Sequence, residues 1–181
     1  MTAEFRRISR EEIYKGKILT LVKDRVLLPN NKEADREIIL HKGASAVVPV
    51  DEAGKIIFVR QYRQPIEEEL LEIPAGLLEE GEDPLEAAKR ELEEETGYRA
   101  SQMRLICSMV SSAGFCNEIV HIYLATELYK GKQNLDEDEF VKIESYSLDD
   151  AIRMIFDGRI KDSKTIAGIL GTKQLLEDNK K

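Results

Sequence analysis

The sequence predicts a mixed α+β fold, and three observations carry this prediction. Apolar runs rich in β-forming residues occupy positions 44–50 and 56–62. A capped amphipathic helical pattern begins at Pro84, and two further helical patterns, at 148–156 and 163–176, close the chain. Because strand-like and helix-like periods are mixed along one chain of ordinary domain length, an all-α or all-β architecture is not expected.

The first 42 residues predict a small β-rich part. Residues 17–28 (KILTLVKDRVLL) are rich in β-formers, 29–31 (PNN) are typical of a turn, and 36–40 (REIIL) return to a strand pattern. This order indicates an N-terminal β-hairpin. The boundary is placed beside it, so that residues 1–42 form an N-terminal sub-domain and residues 43–181 the main domain.

The main domain begins with the two apolar runs, which we expect to be central strands because the link at 51–55 (DEAGK) favours a turn. Residues 70–73 predict a short strand, and 74–76 (PAG) a tight break after it. Three more strands are predicted at 103–110, 118–125 and 141–146.

Local signals define the first helix. Asp83 is suited to cap it, Pro84 to occupy its first position, and Glu86 to complete an arrangement like a capping box. Gly97 marks its end.

The carboxylates of this helix need an explanation. Leu85, Ala88 and Leu92 fall in one sector and predict the buried face. Glu91, Glu94 and Glu95 crowd one flank beside that face, where like charges are destabilising unless a cation compensates them. Carboxylate oxygens are the ligands that magnesium prefers, so the helix predicts a metal site; the alternative is a solvated acidic face.

The bulk composition narrows the function classes. The chain has 181 residues, a formal net charge of -8 and no block of lysines or arginines, which argues against binding to nucleic acid or to an anionic membrane. No segment approaches the length of a membrane span, and the start lacks the apolar stretch of a secretion signal, so we expect a cytoplasmic protein. Cys107 and Cys116 are expected to be reduced.

The segment GLLEEGEDPLEAAKRELEEETGY, read from Gly76, resembles the Nudix box at each of its defined positions. The chain around it is similar to the ADP-ribose pyrophosphatase branch of the Nudix hydrolases, in residues 61–63 (QYR), 71–76 (LEIPAG) and 111–118 (SSAGFCNE). Ala113 stands where that branch usually has a proline. The matching box positions are Gly76, Glu82, Arg90, Glu91, Leu92, Glu94, Glu95, Gly97 and Tyr98.

The resemblance implies an α/β/α sandwich with a mixed sheet. It also implies a homodimer in which the N-terminal strands are exchanged between subunits. The implied activity is magnesium-dependent hydrolysis of the diphosphate bond of ADP-ribose, or of related ADP-sugars, to AMP and ribose 5-phosphate; Mn²⁺ could replace Mg²⁺.

The same resemblance implies roles for individual residues. Glu91, Glu94 and Glu95, with the carbonyl of Ala75, would bind the metal, whereas Glu82 and Arg90 would pair to hold the loop on the helix. The general base of the branch is a glutamate on a late loop. The acidic run at 135–140 (LDEDEF) is the candidate, with Glu137 favoured over Glu139; the alternative is a solvated loop.

Five residues are candidates for substrate binding. A guanidinium can donate two hydrogen bonds to phosphate oxygens, which favours Arg63 and Arg36. For Arg36 a surface salt bridge is an equal alternative. Glu72, Gly114 and Glu118 lie where the branch contacts substrate.

Two alternatives stay open. The box could serve another nucleotide sugar, such as GDP-mannose, or a nucleoside triphosphate, because Ala113 departs from the branch pattern. The fold could also be a non-catalytic nucleotide-sensing module.

Overall fold

A computed structural model describes residues 4–135 and 139–178. The chain divides into two compact units: Met1–Gly43 with Val110–Ile119, and Ala44–Met109 with Val120–Lys181. The predicted boundary falls beside this division, but the membership of Val110–Ile119 in the first unit was not predicted. No helix of the described ranges is long and apolar enough to cross a membrane.

The described residues form ten strands and three helices. The strands are β1 (Arg6–Lys15), β2 (Leu19–Leu27), β3 (Glu33–His41), β4 (Ala44–Pro49), β5 (Lys55–Arg63), β6 (Glu68–Glu72), β7 (Ala75–Leu77), β8 (Tyr98–Val110), β9 (Ile119–Lys130) and β10 (Lys142–Ser147). The helices are α1 (Pro84–Thr96), α2 (Leu148–Phe156) and α3 (Ser163–Asp178).

The first unit contains a three-stranded antiparallel sheet in the order β1-β2-β3. The β2–β3 pair confirms the predicted hairpin, and β1 adds a strand that the pattern analysis did not delimit. Asp24, buried on the middle strand, accepts two hydrogen bonds from Arg10 on β1, at 2.6 and 2.7 Å. This fork-like pairing lowers the pKa of Asp24, against the opposing effect of burial.

The second unit contains two sheets, β10-β5-β6 and β7-β4-β9-β8. Strand β4 runs parallel to β9 and antiparallel to β7, so the sheet is mixed, as predicted. Strand β7 corrects the sequence interpretation, which places Ala75 and Gly76 in a tight break. They extend because they pair with Ala46 and Ser45 of β4.

All six residues of β4 are buried, because helices cover both of its faces. Ala46 and Val48 belong to a core cluster with residues of α2 and α3, whereas Val47 packs with Leu92 of α1. Since successive side chains of a strand point to opposite faces, α1 lies on one side of this sheet and α2 and α3 on the other. The second unit is therefore an α/β/α arrangement.

Candidate active site

Helix α1 carries the proposed metal ligands, and local signals fix both of its ends. Asp83 Oδ1 accepts hydrogen bonds from the amides of Leu85, at 2.8 Å, and Glu86, at 3.4 Å. The helix ends at Gly97, whose φ of 70° lies in the left-handed region that favours glycine. The Asp83–Glu86 bond forms one half of the predicted capping-box-like arrangement, and the side chain of Glu86 pairs with Lys89 at 2.7 Å.

Two of the three clustered glutamates are buried. Glu91 is 7% exposed and Glu95 is 2% exposed, although both are ionisable. A Cβ added at Gly76 would lie 2.0 Å from Glu91 Oε1 and 2.4 Å from its Oε2. The Glu91 carboxylate therefore lies directly against the backbone of β7, in space that only a glycine leaves open.

Glu95 is held by the same strand. The amide of Ala75 donates a hydrogen bond to Glu95 Oε2 at 3.0 Å. Strand β7 thus contacts both buried carboxylates, and its pairing with β4 fixes its position.

Burial makes the charged forms of these two groups unfavourable. It raises the pKa of Glu91 to about 7, opposed by Arg90 and reinforced by the charges of Glu94 and Glu139. Burial, together with the charge of Glu91, raises the pKa of Glu95 to about 8. A bound cation would oppose both shifts, because it supplies a positive charge that favours the ionised forms of the buried carboxylates.

Arg90 organises the loop before α1. It donates to Glu82 through Nε at 2.9 Å and through Nη2 at 3.0 Å, which confirms the predicted pair. Its Nη2 also donates to the Leu77 carbonyl at 3.1 Å, and its Nη1 reaches Glu91 Oε1 at 2.5 Å and Glu94 Oε2 at 3.0 Å. One guanidinium therefore ties the loop to the carboxylate cluster.

The donor set fits a hard divalent cation, because two buried carboxylates lie beside a strand that also offers backbone carbonyls. No group of three or more His, Cys, Asp or Glu side chains within residues 4–135 and 139–178 is already arranged to hold a metal ion. Arg90 instead engages Glu91 and Glu94. Binding a cation at this cluster would require these side chains to rearrange.

Beside the cluster lies a buried ion-pair network. Glu72, 1% exposed at the end of β6, accepts from Arg63 Nε at 2.7 Å and from Arg63 Nη2 at 2.8 Å. Lys164, in the first turn of α3, donates to Glu72 Oε2. Burial alone would raise the pKa of Glu72, but the two cations together lower it. Sequence analysis missed Lys164, since no local pattern links it to a residue 92 positions away.

Of the two candidate general bases, the structure describes Glu139 alone. Glu137 lies outside the described residues. Glu139 is partly buried, and its charge contributes to the raised pKa values of Glu91 and Glu95, so it lies near the cluster.

The other three predicted substrate-binding residues belong to the first unit. Arg36 is exposed on β3 and donates to the Asp35 carbonyl at 2.9 Å. Gly114 is exposed, with open space where a Cβ would lie. Glu118 Oε1 lies 3.4 Å from Nδ1 of His41.

Comparison with known protein families gives two matches. The NUDIX domain model matches residues 40–168, which include the whole carboxylate cluster. The model of the nucleoside diphosphate sugar hydrolase N-terminal domain matches residues 5–39, which contain β1, β2 and most of β3.

Individual proteins agree with these models. The chain is 45% identical to an ADP-ribose pyrophosphatase of Bacillus subtilis (strain 168), covering 98% of both chains. It is 47% identical to a methanol dehydrogenase activator of Bacillus methanolicus, covering 92% of this chain and 91% of the other. A crystal structure of an ADP compounds hydrolase has the same fold, with a TM-score of 0.87 at 20% identity, over 99% of this chain and 96% of that chain.

Proposed function

This chain belongs to the NUDIX family, and from that premise we propose that it hydrolyses the diphosphate bond of ADP-ribose, or of a related ADP-sugar, to AMP and ribose 5-phosphate. The chemistry rests on one observation: Glu91 and Glu95 are buried side by side against β7 with raised pKa values. The substrate rests on the similarity to the B. subtilis ADP-ribose pyrophosphatase over nearly the whole chain.

Members of the family generally use divalent metal ions, and for this chain we propose Mg²⁺, with Mn²⁺ as a substitute. The ligands would be Glu91, Glu94, Glu95 and the carbonyl of Ala75. A bound divalent cation supplies charge neutralisation on the diphosphate oxygens, whose repulsion of an incoming oxygen is the main barrier. The protein contributes the placement of Glu91 and Glu95 beside β7, and Arg90 would have to release Glu91 and Glu94 for the cation to bind.

Proton transfer is assigned to the acidic run after β9. A carboxylate, Glu137 or in second place Glu139, accepts a proton from water as the water oxygen bonds to one phosphorus atom. The bond from that phosphorus to the bridging oxygen breaks, and the bridging oxygen leaves with the other phosphate. The effect of the Glu139 charge on Glu91 and Glu95 supports a position of Glu139 near the cluster.

Substrate binding is assigned to Arg63 and Glu72, and Arg36, Gly114 and Glu118 keep the substrate-binding role proposed for them from the sequence. The pair with Glu72 uses Nε and Nη2 of Arg63, which leaves Nη1 as the donor for a phosphate or ribose oxygen. Gly114 is exposed, with open space where a Cβ would lie, which favours close approach of a ligand to its backbone.

The test is a substrate panel of ADP-ribose, GDP-mannose and a nucleoside triphosphate, each with magnesium and with chelator. We expect magnesium-dependent release of AMP from ADP-ribose to exceed turnover of the others. Turnover of another compound alone would keep the metal chemistry and reject the substrate, and tight binding of ADP-ribose without AMP release would favour a nucleotide-sensing module.

The similarity to the B. methanolicus protein favours a second candidate, activation of a dehydrogenase. Adding this protein to methanol dehydrogenase and measuring methanol oxidation tests it. If the stimulation disappears in a hydrolysis-defective variant, activation of the dehydrogenase depends on hydrolysis.

We also propose a homodimer built through the N-terminal strands, in a cytoplasmic enzyme that binds neither nucleic acid nor membranes. All ten residues of β1 are exposed in the single chain, among them Ile8, Ile13 and Tyr14, which supports a partner on this strand. Light scattering after size-exclusion chromatography gives the mass in solution, and a monomer would reject this proposal.

A further inference from the structure

The ion-pair network at the end of β6 contains a cation that no functional assignment uses. Lys164 is only 14% exposed and donates to two carboxylates, Glu72 and Asp162, the latter at 3.0 Å. A lysine in this position has lost most of its hydration, and its two carboxylate partners compensate for that loss.

Glu72 depends on Lys164 for charge balance. Its side chain is 1% exposed, and Arg63, at 40% exposure, faces solvent more than Lys164 does. If Lys164 lost its charge, Glu72 would be left buried with Arg63 as its partner, and Arg63 would have to be drawn inward to compensate. With Lys164 present, Arg63 can keep a fixed, outward position.

The backbone around Lys164 is rigid for a separate reason. Asp162 accepts hydrogen bonds from the amide of Thr165, at 2.9 Å, and from its hydroxyl, at 2.6 Å. The Thr165 hydroxyl oxygen accepts from the amide of Ile73 at 2.9 Å, directly after Glu72. The start of α3 is therefore hydrogen-bonded to the chain directly after Glu72, and this places Lys164 beside Glu72.

We propose that Lys164 is a positioning residue for substrate: it fixes Glu72, and through Glu72 it holds the Arg63 guanidinium so that Nη1 faces the ligand. This inference rests on the proposed hydrolysis of ADP-ribose. Lys164 itself does not touch the substrate, and its effect passes through Arg63.

A double-mutant cycle tests this route. At saturating magnesium, Lys164→Met should raise KM for ADP-ribose about tenfold, as is typical when a group that orients a ligand-binding residue is lost, with a smaller change in kcat. In an Arg63→Met background the same change should alter KM by less than about twofold, because the residue through which Lys164 acts is already gone. Lys164→Arg keeps the charge and should recover most of the KM.

Lys161→Met is the matched control, since Lys161 is an exposed neighbouring lysine paired with Glu68 at 2.6 Å. It should leave KM unchanged. If Lys164→Met does not fold, as judged by its Tm, Lys164→Gln removes the charge and keeps a donor, and it enters the same cycle.

Effects on KM that add fully in the double variant would overturn the inference, as would a Lys164 variant with lowered Tm and unchanged KM. Both outcomes leave the proposed function standing, because wild-type protein still releases AMP. A wild-type protein that releases no AMP from ADP-ribose rejects the proposed function and this inference together.

Discussion

The amide of Ala75 donates a 3.0 Å hydrogen bond to Glu95 Oε2, so the strand that offers one proposed metal ligand also holds another. This bond orients the carboxylate and leaves its other lone pairs for a cation. It also separates two contributions of Glu95, because an amide side chain can keep the hydrogen bond while losing the charge.

Glu95→Gln should therefore lower turnover and leave the fold intact. The glutamine carbonyl oxygen can still accept from Ala75, but the buried negative charge is lost. We expect kcat/KM to fall by more than the roughly 100-fold typical of residues that only support a metal ligand. Steady-state kinetics with magnesium, beside the Tm of the metal-free variant, measure this effect.

Glu86→Gln is the control for that change, because Glu86 lies on the same helix, is exposed and pairs with Lys89. It should behave as wild type. Unchanged turnover in a folded Glu95→Gln variant would show that Glu95 is not a metal ligand.

Helix α1 was predicted correctly at both ends because its signals are local. Asp83 and Pro84 act on the first turn of the helix and Gly97 on its last turn. The helical period alone brings Glu91, Glu94 and Glu95 to one flank. The resemblance to the Nudix box then supplied the expected roles of these carboxylates.

The features that sequence analysis missed depend on pairing across the chain. Strand β7 contains Ala75 and Gly76, whose composition favours a break, and it extends because it pairs with β4, about thirty residues earlier. The Lys164–Glu72 contact joins residues 92 positions apart. Neither feature follows from a local periodicity or a capping motif, so a single sequence does not reveal it.

Gly76→Ala should displace the Glu91 carboxylate. The new Cβ would lie 2.0 Å from Glu91 Oε1, well inside van der Waals contact, and the side chain has to move because the backbone of β7 is held by its pairing with β4. We expect magnesium affinity to fall about 10- to 100-fold, with a smaller effect on Tm. Titration calorimetry with magnesium gives the affinity.

The double variant with Glu91→Asp is informative, because a shorter side chain withdraws from the new methyl group. Its Tm should exceed that of Gly76→Ala alone. A Gly76→Ala protein with wild-type magnesium affinity would mean that Glu91 does not bind the metal.

Removal of metal should make stability depend on pH between about pH 4.5 and pH 8. Without metal the pKa values are about 7 for Glu91 and about 8 for Glu95, both above the ordinary 4.5. This contribution to stability is fully present below the ordinary value, declines as the unfolded chain loses its protons above about pH 4.5, and is gone once pH has risen through the folded values of about 7 and 8. The Tm in chelator should therefore fall across this range.

Magnesium should reverse this trend, because its ligands must be deprotonated. The rise in Tm on adding magnesium should be larger near pH 8 than near pH 6. A variant with both Glu91→Gln and Glu95→Gln should show a flatter pH dependence and little response to magnesium. The same slope in that variant would assign the pH dependence to other groups.

The general base can be identified by comparing Glu137→Gln with Glu139→Gln. Loss of a general base costs about 10²- to 10⁴-fold in kcat, and we expect this loss in Glu137→Gln with magnesium affinity preserved. Glu139→Gln should do something different: removing its charge lowers the pKa values of Glu91 and Glu95, so the acidic limb of the pH–rate profile should move to lower pH. Asp138→Asn, in the same run, controls for total charge. If Glu139→Gln alone abolished turnover at every pH while magnesium still bound, the base would be Glu139.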